Sequence, residues 1–346
     1  MNKLRFWLLL SLWICSVAFL SACRDAQAVP LFEQTGASDN ASQTTVILLT
    51  HSESENSLTQ ELALKFKQKL ESLSGGQMQV DIFPNNTLGN WTDATNSFGN
   101  GAVEMRLGVG PSNALAVIQW LPSMQEVDLD QLESSLQEGG AVRKILDEQC
   151  AQAGVQILGI MPPLFRVVTS NQPVVSVEDF SKLHMRVFST GIESSVWEQL
   201  GAHTLSFPIE EVYTALQQGI VDAQENTLPS IIGNRLYQQQ KYLIMTNHKL
   251  YMDLMYIDQE FLQSLTEDQQ QFIVSAADDA IQETTALQEE YLTNGYRQFE
   301  SSGMQIIPFS SQQREKMRNI IGQGVEDYLS ETFGSELVQQ VKSALT

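Results

Sequence analysis

The sequence predicts an α/β protein of two Rossmann-like domains with one long helix that spans both. Its 346 residues exceed what a single small core needs and suit two domains. Strand-like apolar runs alternate with amphipathic helical segments, and this alternation starts again near residue 164. Residues 266–301 form one amphipathic segment of about 35 residues, which at 1.5 Å per residue would reach about 50 Å and cross both domains.

The first 22 residues are predicted to be a signal peptide of the lipoprotein type. Lys3 and Arg5 precede an apolar run that is too short to span a bilayer comfortably. Leu20-Ser21-Ala22-Cys23 fits a lipobox, in which Cys23 becomes the lipidated first residue of the mature chain. An ordinary cleavage site after Ala28 is the alternative. Either way the protein is exported, and residues 23–43 form a flexible tether.

Composition restricts the classes of partner. Hydrophobic residues make up 42% and charged residues 18%, which is typical of a globular protein rather than a disordered one. A formal net charge of −21 argues against binding to nucleic acid and against a polybasic contact with a membrane. Cys150 lies at helical spacing and is expected to be a buried structural thiol.

The first domain is predicted to be a β-α-β-α-β unit with a parallel sheet, since buried apolar strands are joined by helical crossovers. The predicted elements are strand 44–49, helix 57–73, strand 78–83, helix 91–98, strand 102–107, a helix pair within 127–150 and strand 155–160.

The second domain is predicted to repeat this parallel arrangement. A capping box, Thr190 with Glu193, would start one of its helices. We predict domain 1 from 44–163 plus 252–290 and domain 2 from 164–251 plus 291–346. The other predicted elements are strand 165–170, a short turn at 177–180, strand 183–188, strand 205–207, helix 208–218, strand 220–224, a connecting strand at 249–257, strand 304–308 and helices to 345.

Arg166 and Arg186 each lie in an apolar, strand-like run, where a buried guanidinium is costly unless an anion pairs with it. Arg186 is near the carboxyl end of its strand, where α/β sheets bind ligands, and a helix N-terminus follows. These features indicate a site for a carboxylate or phosphate. The alternative is an internal ion pair with Glu225 or Asp222, and the residues alone leave both open.

Other candidates are weaker. Arg166 could be a structural cation, and Asn226, at the end of a predicted strand, could cap a loop or face a polar ligand. His51 ends the first strand and could line a cleft. The histidines lack metal-ligand spacing, and no nucleophile–base motif or dinucleotide fingerprint occurs, so we expect no metal, no cofactor and no catalysis.

A set of short motifs follows in a recognisable order. They are Ser74-Gly75-Gly76, Phe83-Pro84, Leu88-Gly89, Phe165-Arg166 before Thr169-Ser170-Asn171, Val177-Glu178-Asp179-Phe180, Lys182 to Val187, Leu200-Gly201-Ala202, Glu211 to Gln217, Val221-Asp222, Gln224-Glu225-Asn226 and Gln240-Lys241-Tyr242 before His248. In this order and spacing the chain resembles the substrate-binding proteins of TRAP transporters, the DctP-like family. The resemblance covers nearly all of the mature chain.

The resemblance implies a bilobal periplasmic binding protein that closes on an organic acid and delivers it to a sodium-driven membrane permease. It places the carboxylate-binding arginine at Arg186, a second cation at Arg166 and a polar ligand-facing residue at Asn226. Glu225 belongs to the same polar triplet and is included among the ligand-binding candidates. His51 and the segment around Val109-Gly110 would face the ligand from the other domain.

Two departures from the family pattern concern the pocket. Ala223 replaces the usual glycine, and Ile209 replaces an aromatic residue, so we expect Phe207 to re-form one wall. Two rival functions remain. One is a lipid-tethered sensory protein that binds the acid for a receptor. The other is an enzyme on the same fold, which would need Glu225 or His51 as its acid or base.

Overall fold

The computed structural model describes residues 44–88 and 102–345. The predicted signal peptide, the tether, Cys23 and the helix at 91–98 lie outside the described residues. The strands are β1 Thr45–Thr50, β2 Met78–Phe83, β3 Met105–Gly108, β4 Val155–Ile160, β5 Leu164–Ser170, β6 His184–Val187, β7 His203–Ser206, β8 Ala223–Thr227, β9 Tyr242–Tyr251, β10 Leu254–Asp258 and β11 Gln305–Ile307.

The helices pack around two sheets. They are α1 Leu58–Leu73, α2 Asn113–Met124, α3 Leu129–Leu136, α4 Ala141–Gln152, α5 Ile192–Gln199, α6 Ile209–Gln218, α7 Leu228–Gly233, α8 Gln259–Ser264, α9 Glu267–Ser301, α10 Ser311–Phe333 and α11 Ser335–Ser343, with short 3₁₀ turns at Val177–Lys182 and Leu236–Gln239.

The first sheet has the strand order β2-β1-β3-β10-β4. β1 pairs in parallel with β2 and β3, as the crossover pattern predicts. β10 pairs antiparallel with both β3 and β4, so the sheet as a whole is mixed, although the strands of the predicted β-α-β-α-β unit are parallel. The reason is that β10 arrives from the second sheet rather than through a helical crossover within the first.

The second sheet has the order β11-β9-β5-β8-β6-β7 and is also mixed. β6 lies parallel between β7 and β8, whereas β5 is antiparallel to β8 and β9. The predicted parallel repeat is therefore correct only around β6. The carboxyl ends of β6 and β8 still point to the same edge, which is the geometry that positions the site.

The chain passes between the sheets at two short connections. β4 leads into β5 through residues 161–163, and β9 leads into β10 through Met252 and Asp253. The predicted single strand at 249–257 is therefore wrong, because its two halves belong to different sheets. The predicted domain boundaries remain a prediction.

The long helix is confirmed as α9. Thr266 and Gln269 form a capping box at its start. Ala276 and Ala280 pack into the core of the first sheet, and Phe299 packs into that of the second. Small residues allow close approach, since a Cβ on Gly295 would lie 2.1 Å from Ile232 Cδ1. One continuous helix thus contributes to both cores.

Two further features bear on earlier expectations. Cys150 is fully buried, and burial raises the pKa of its thiol to about 12, which fits a structural residue. Among the described residues, no helix has the length and apolar character needed to cross a bilayer.

Candidate functional site

Four lysine or arginine side chains are buried among the described residues: Arg106, Arg166, Arg186 and Lys249. Removing such a cation from water costs several kcal/mol unless an anion compensates it. A buried cation that the protein itself does not neutralise is therefore a candidate site for an external anion.

Arg166, on β5, pairs with Glu225 on the neighbouring strand β8. Its Nε and Nη2 donate to the two carboxylate oxygens at 2.5 and 2.8 Å, and Nη2 also donates to the Glu225 carbonyl at 3.0 Å. The Nε2 of His248 lies 3.3 Å from the same carboxylate. Burial opposes an ionised Glu225, but Arg166 and His248 hold the pKa of this carboxyl well below its usual value. Arg166 thus has an internal anion.

Lys249, on β9, pairs with Glu193 in the first turn of α5 and lies 4.7 Å from the centre of the Trp120 ring. The predicted capping box is wrong, because Gly191, at φ 81°, occupies the N-cap and no side chain caps the helix. Glu193 is drawn instead to the buried ammonium, which is the stronger partner for a carboxylate.

Arg186, on β6, has no internal carboxylate partner among the described residues. Its Nε and Nη2 both donate to the Phe207 carbonyl, at 2.9 and 2.7 Å, and Nη1 donates to no described group. Its guanidinium carbon lies 5.9 Å from the Phe207 ring centre. Only 1% of the residue is exposed, and burial lowers its pKa to about 10. The proposed internal pairs with Glu225 and Asp222 do not form.

Asn226 lies on the same side of the second sheet as Arg186. Arg186 is paired with Gln224, and residues two apart on a strand share a face. Asn226 was expected at a strand end but lies inside β8, which continues to Thr227 because Thr227 still pairs with Arg166 on β5. The Asn226 Oδ1 accepts from the Thr227 amide at 3.0 Å, and its Nδ2 donates to no described group.

His51 directly follows β1, and Arg106 on β3 lies beside the last residue of β1. Arg106 pairs with Thr50, the residue before His51. The Nε2 of His51 is 2.8 Å from Gln60 Oε1, and its Nδ1 is buried without a partner. Arg106 is 2% exposed, and its Nε and Nη1 have no hydrogen-bond partner.

Sequence reasoning missed Arg106. The signal was available, since Arg106 lies in the apolar run Met105–Leu107 just as Arg166 and Arg186 lie in theirs.

Tyr251 and Asp253 connect these groups across the two sheets. The Arg166 guanidinium lies 5.8 Å from the Tyr251 ring centre, and the Tyr251 hydroxyl donates to Asp253 at 2.9 Å. Asp253 also accepts from Thr59 at 2.7 Å. A cavity of about 40 Å³ beside them is lined by residues that include Thr59 on α1 and Ser230 on α7. Its size suits water rather than an organic acid.

The predicted residues therefore separate into three groups. Arg186, Asn226 and Phe207 lie together, Arg166 and Glu225 neutralise each other, and His51 belongs to the first sheet. A larger groove of about 650 Å³ runs along β4. Four carboxylates line it against one cation, Arg143, which pairs with Asp147, so the groove is unsuitable for an anion.

No cluster of histidine, cysteine or acidic side chains in the described residues could hold a metal ion.

Comparison with known families gives one match over most of the chain. The model of the family described as "Bacterial extracellular solute-binding protein, family 7", DctP, matches residues 49–332. The ectoine-binding periplasmic protein TeaA of Halomonas elongata is 28% identical over 305 residues, which cover 85% of this chain and 88% of TeaA.

Solved structures show the same fold. A TRAP periplasmic solute-binding protein from Roseobacter denitrificans, with bound L-galactonate, has a TM-score of 0.75 at 25% identity and covers 88% of this chain and 99% of its own. Another from Shewanella oneidensis, with bound succinate, has a TM-score of 0.77 at 22% identity over 88% of this chain and 100% of its own. The bilobal α/β fold expected from the sequence is thereby confirmed.

Proposed function

Because the chain belongs to family 7 of the bacterial extracellular solute-binding proteins, the DctP family of TRAP-type periplasmic proteins, we propose that it binds a small organic acid between its two sheets and that Arg186 pairs with the acid's carboxylate. The family is one of binding proteins, so the enzyme alternative is set aside. The observation that carries the proposal is a buried arginine whose only described partner is a neutral carbonyl.

Arg186 has hydrogen-bond donors that no described group accepts from. Arg186 uses Nε and Nη2 on one oxygen, which leaves Nη1 and the outer side of Nη2 for a planar, two-oxygen acceptor. A carboxylate fits that fork and gives charge-assisted bonds of about 2.7–2.9 Å. Closure around the ligand removes water and strengthens the pair, because the local dielectric falls.

The neighbouring groups would have supporting roles. Asn226 Nδ2 would donate to a ligand oxygen on the same face, and the Phe207 ring would form an apolar wall. Arg166 and Glu225 would act mainly as a neutral buried pair that holds β5 against β8. The two short connections between the sheets would serve as the hinge between the domains predicted above.

We further propose that the protein delivers its ligand to the membrane permease of a TRAP transporter and is anchored in the periplasm through a lipid on Cys23. Detergent phase partition of the expressed protein tests the anchor. The wild type should enter the detergent phase, and Cys23→Ala should not. Cleavage after Ala28 would leave both in the aqueous phase. A sensory lipoprotein would bind the same acids but would not support uptake when co-expressed with the permease.

A thermal-shift screen of organic acids tests ligand binding. A ligand at about 100 times its Kd should stabilise the protein by about 2.7 kcal/mol. Arg186→Gln should remove the shift while the ligand-free variant stays folded. Arg297→Gln, which changes an exposed arginine on α9, is the matched control and should keep the shift. If no carboxylate stabilises the wild type, the proposed function fails.

A further inference from the structure

A polar contact joins the parts of the chain that are built on the two sheets, which we term the first and the second lobe. In the first lobe it consists of Glu53 and Ser54, between β1 and α1. In the second lobe it consists of Ser230 and Gly233 on α7 and of Asn234, the C-cap of that helix. Helix α1 packs into the core of the first sheet and α7 into that of the second, so the contact crosses from one lobe to the other.

We propose that Glu53 is a positioning residue that holds the two lobes together, because its carboxylate accepts hydrogen bonds from α7. We call this contact, formed by Glu53 and Ser54 with Ser230, Gly233 and Asn234, the interlobe latch. The inference goes beyond the proposed function, since it concerns the ligand-free protein. Only its consequence for ligand affinity rests on the proposed function.

The interlobe latch contains three hydrogen bonds. The Oε2 of Glu53 accepts from Ser230 Oγ at 3.0 Å and from Asn234 Nδ2 at 3.2 Å. The Ser54 hydroxyl donates to the Gly233 carbonyl at 2.9 Å. Two of the three bonds end on one carboxylate oxygen, and hydrogen bonds to an ionised acceptor are stronger than those between neutral groups. Glu53 therefore contributes the larger share of the contact.

The ionised state of Glu53 depends on the second lobe. Burial and the neighbouring Asp253 carboxylate raise the pKa of Glu53. Ser230, Asn234 and Arg166 lower this pKa, and all three belong to the second lobe. The Glu53 carboxylate is thus stabilised when α7 lies against it and loses that stabilisation when the lobes separate.

The backbone packs closely around the interlobe latch. A Cβ on Gly233 would lie 3.2 Å from the Cα of Ser57, the N-cap of α1. A larger residue at position 233 would push α7 away from the start of α1. Tyr291 on α9 also donates to the Asn56 carbonyl at 3.0 Å, next to this point. The two lobes therefore touch here as closely as elements within one core.

A second contact between the lobes is connected to the first. The Nδ2 of Asn86, in the loop after β2, donates at 2.6 Å to Glu210 in the first turn of α6. The amide of Asn86 donates to the His51 carbonyl and that of Asn85 to the Glu53 carbonyl, both at 3.1 Å. The loop and the latch segment thus form one unit of the first lobe, which meets α6 and α7 together.

The interlobe latch lies beside the two short connections that we propose as the hinge. Glu53 and Ser230 line the cavity of about 40 Å³ together with Met161, Met252 and Asp253, which belong to those connections. Displacements are small near a hinge, but lengthening a bond of 3.0 Å by about 0.5 Å already takes it out of hydrogen-bond range. A limited rotation of the lobes therefore breaks the latch.

The ligand-free protein provides the direct test. In a Cys23→Ala background, spin labels on cysteines introduced at Asp81 on β2 and Thr214 on α6, both exposed, report the separation of the lobes by pulsed electron paramagnetic resonance. Glu53→Ala should shift the distance distribution to longer values. Ser230→Ala, which removes one donor from the other lobe, should shift it in the same direction by less. Glu55→Ala, at an exposed glutamate of the same segment, is the matched control and should leave the distribution unchanged.

Titration calorimetry gives the second measurement. The probe is the acid that stabilises the wild type most in the thermal-shift screen proposed above, with succinate and L-galactonate among those screened. Glu53→Ala should raise the Kd of this acid about tenfold, which corresponds to the loss of hydrogen bonds to a charged group. A saturating concentration of the acid should return the labelled Glu53→Ala protein to the wild-type distance, as a folded variant requires.

The outcomes separate the interlobe latch from the proposed function. Unchanged distances in both Glu53→Ala and Ser230→Ala overturn the latch. If Glu53→Ala weakens acid binding while its distances and the affinity of Ser230→Ala equal those of the wild type, Glu53 contacts the acid directly. The latch is then refuted and the proposed function stands. If the distances lengthen as expected but no acid binds the wild type, the latch is supported and the proposed function fails.

Discussion

Arg166 and Arg186 look alike in the sequence, but replacing them should affect stability very differently. Arg166→Gln removes three hydrogen bonds to Glu225 and leaves that carboxylate, whose side chain is 1% exposed, with only the neutral His248 ring beside it among the described side chains. Breaking one side of a buried ion pair typically costs about 3–5 kcal/mol. Arg186→Gln removes bonds to a neutral carbonyl but also removes an unpaired charge, so its cost should be below about 1.5 kcal/mol.

Urea unfolding of the ligand-free proteins checks this difference. With an m-value of about 3 kcal/mol/M, Arg166→Gln should lower the urea midpoint by about 1–1.7 M. The double variant Arg166→Gln/Glu225→Gln should recover much of that loss, because it removes the unpaired carboxylate charge of Glu225 together with Arg166. A coupling of at least about 1.5 kcal/mol between the two sites is expected.

The comparison has a clear failure condition. If Arg166→Gln lowers the free energy of unfolding by less than about 1 kcal/mol, or if adding Glu225→Gln recovers nothing, Arg166 is not held by an internal pair. Arg297→Gln, at an exposed position, reports the cost of an arginine-to-glutamine change itself and should be close to zero.

Three further results are expected. Burial lowers the pKa of His51 and of His248 below the usual 6.5, so the unfolded chain binds more protons than the folded protein as the pH falls. The free energy of unfolding should therefore fall between about pH 7.5 and 5.5, and it should fall less in His248→Gln. A free energy of unfolding that does not change with pH would contradict this. Gly233→Ala would place a Cβ 3.2 Å from Ser57 and 3.3 Å from Ser54 Oγ, where α7 meets the segment before α1. This substitution should weaken acid binding several-fold in titration calorimetry. An affinity equal to that of the wild type would show that this contact does not limit closure. Cys150 should resist iodoacetamide until the chain is unfolded, as read by peptide mass spectrometry, and rapid labelling of the native protein would contradict its burial.

Local signals predicted most elements because each depends on nearby residues. Helix α6 begins after Pro208 and ends before Gly219, whose φ of 69° suits a helix C-cap, and the N-cap of α9 is Thr266, the residue at which the amphipathic segment was predicted to start. Sheet order and strand direction depend on contacts distant in sequence, so the antiparallel entry of β10 was not predictable from periodicity.

The candidate site was predictable to the same extent: local signals identified unusual residues, whereas contacts distant in sequence decided their partners. A charged residue in an apolar run identified Arg166 and Arg186 as unusual, and the same rule would have identified Arg106. Which of these arginines has a free charge depends on partners on other strands. Arg166 meets Glu225 only because β5 and β8 are neighbours, and Glu193 turns to Lys249 rather than to its own helix end.

A crystal structure with a bound organic acid tests the central claim most directly. The carboxylate should lie about 2.7–2.9 Å from two Arg186 nitrogens, with Asn226 on the same side, and Arg166 should keep its bonds to Glu225. A ligand carboxylate bound to Arg166, with Arg186 still attached only to the Phe207 carbonyl, would contradict the account.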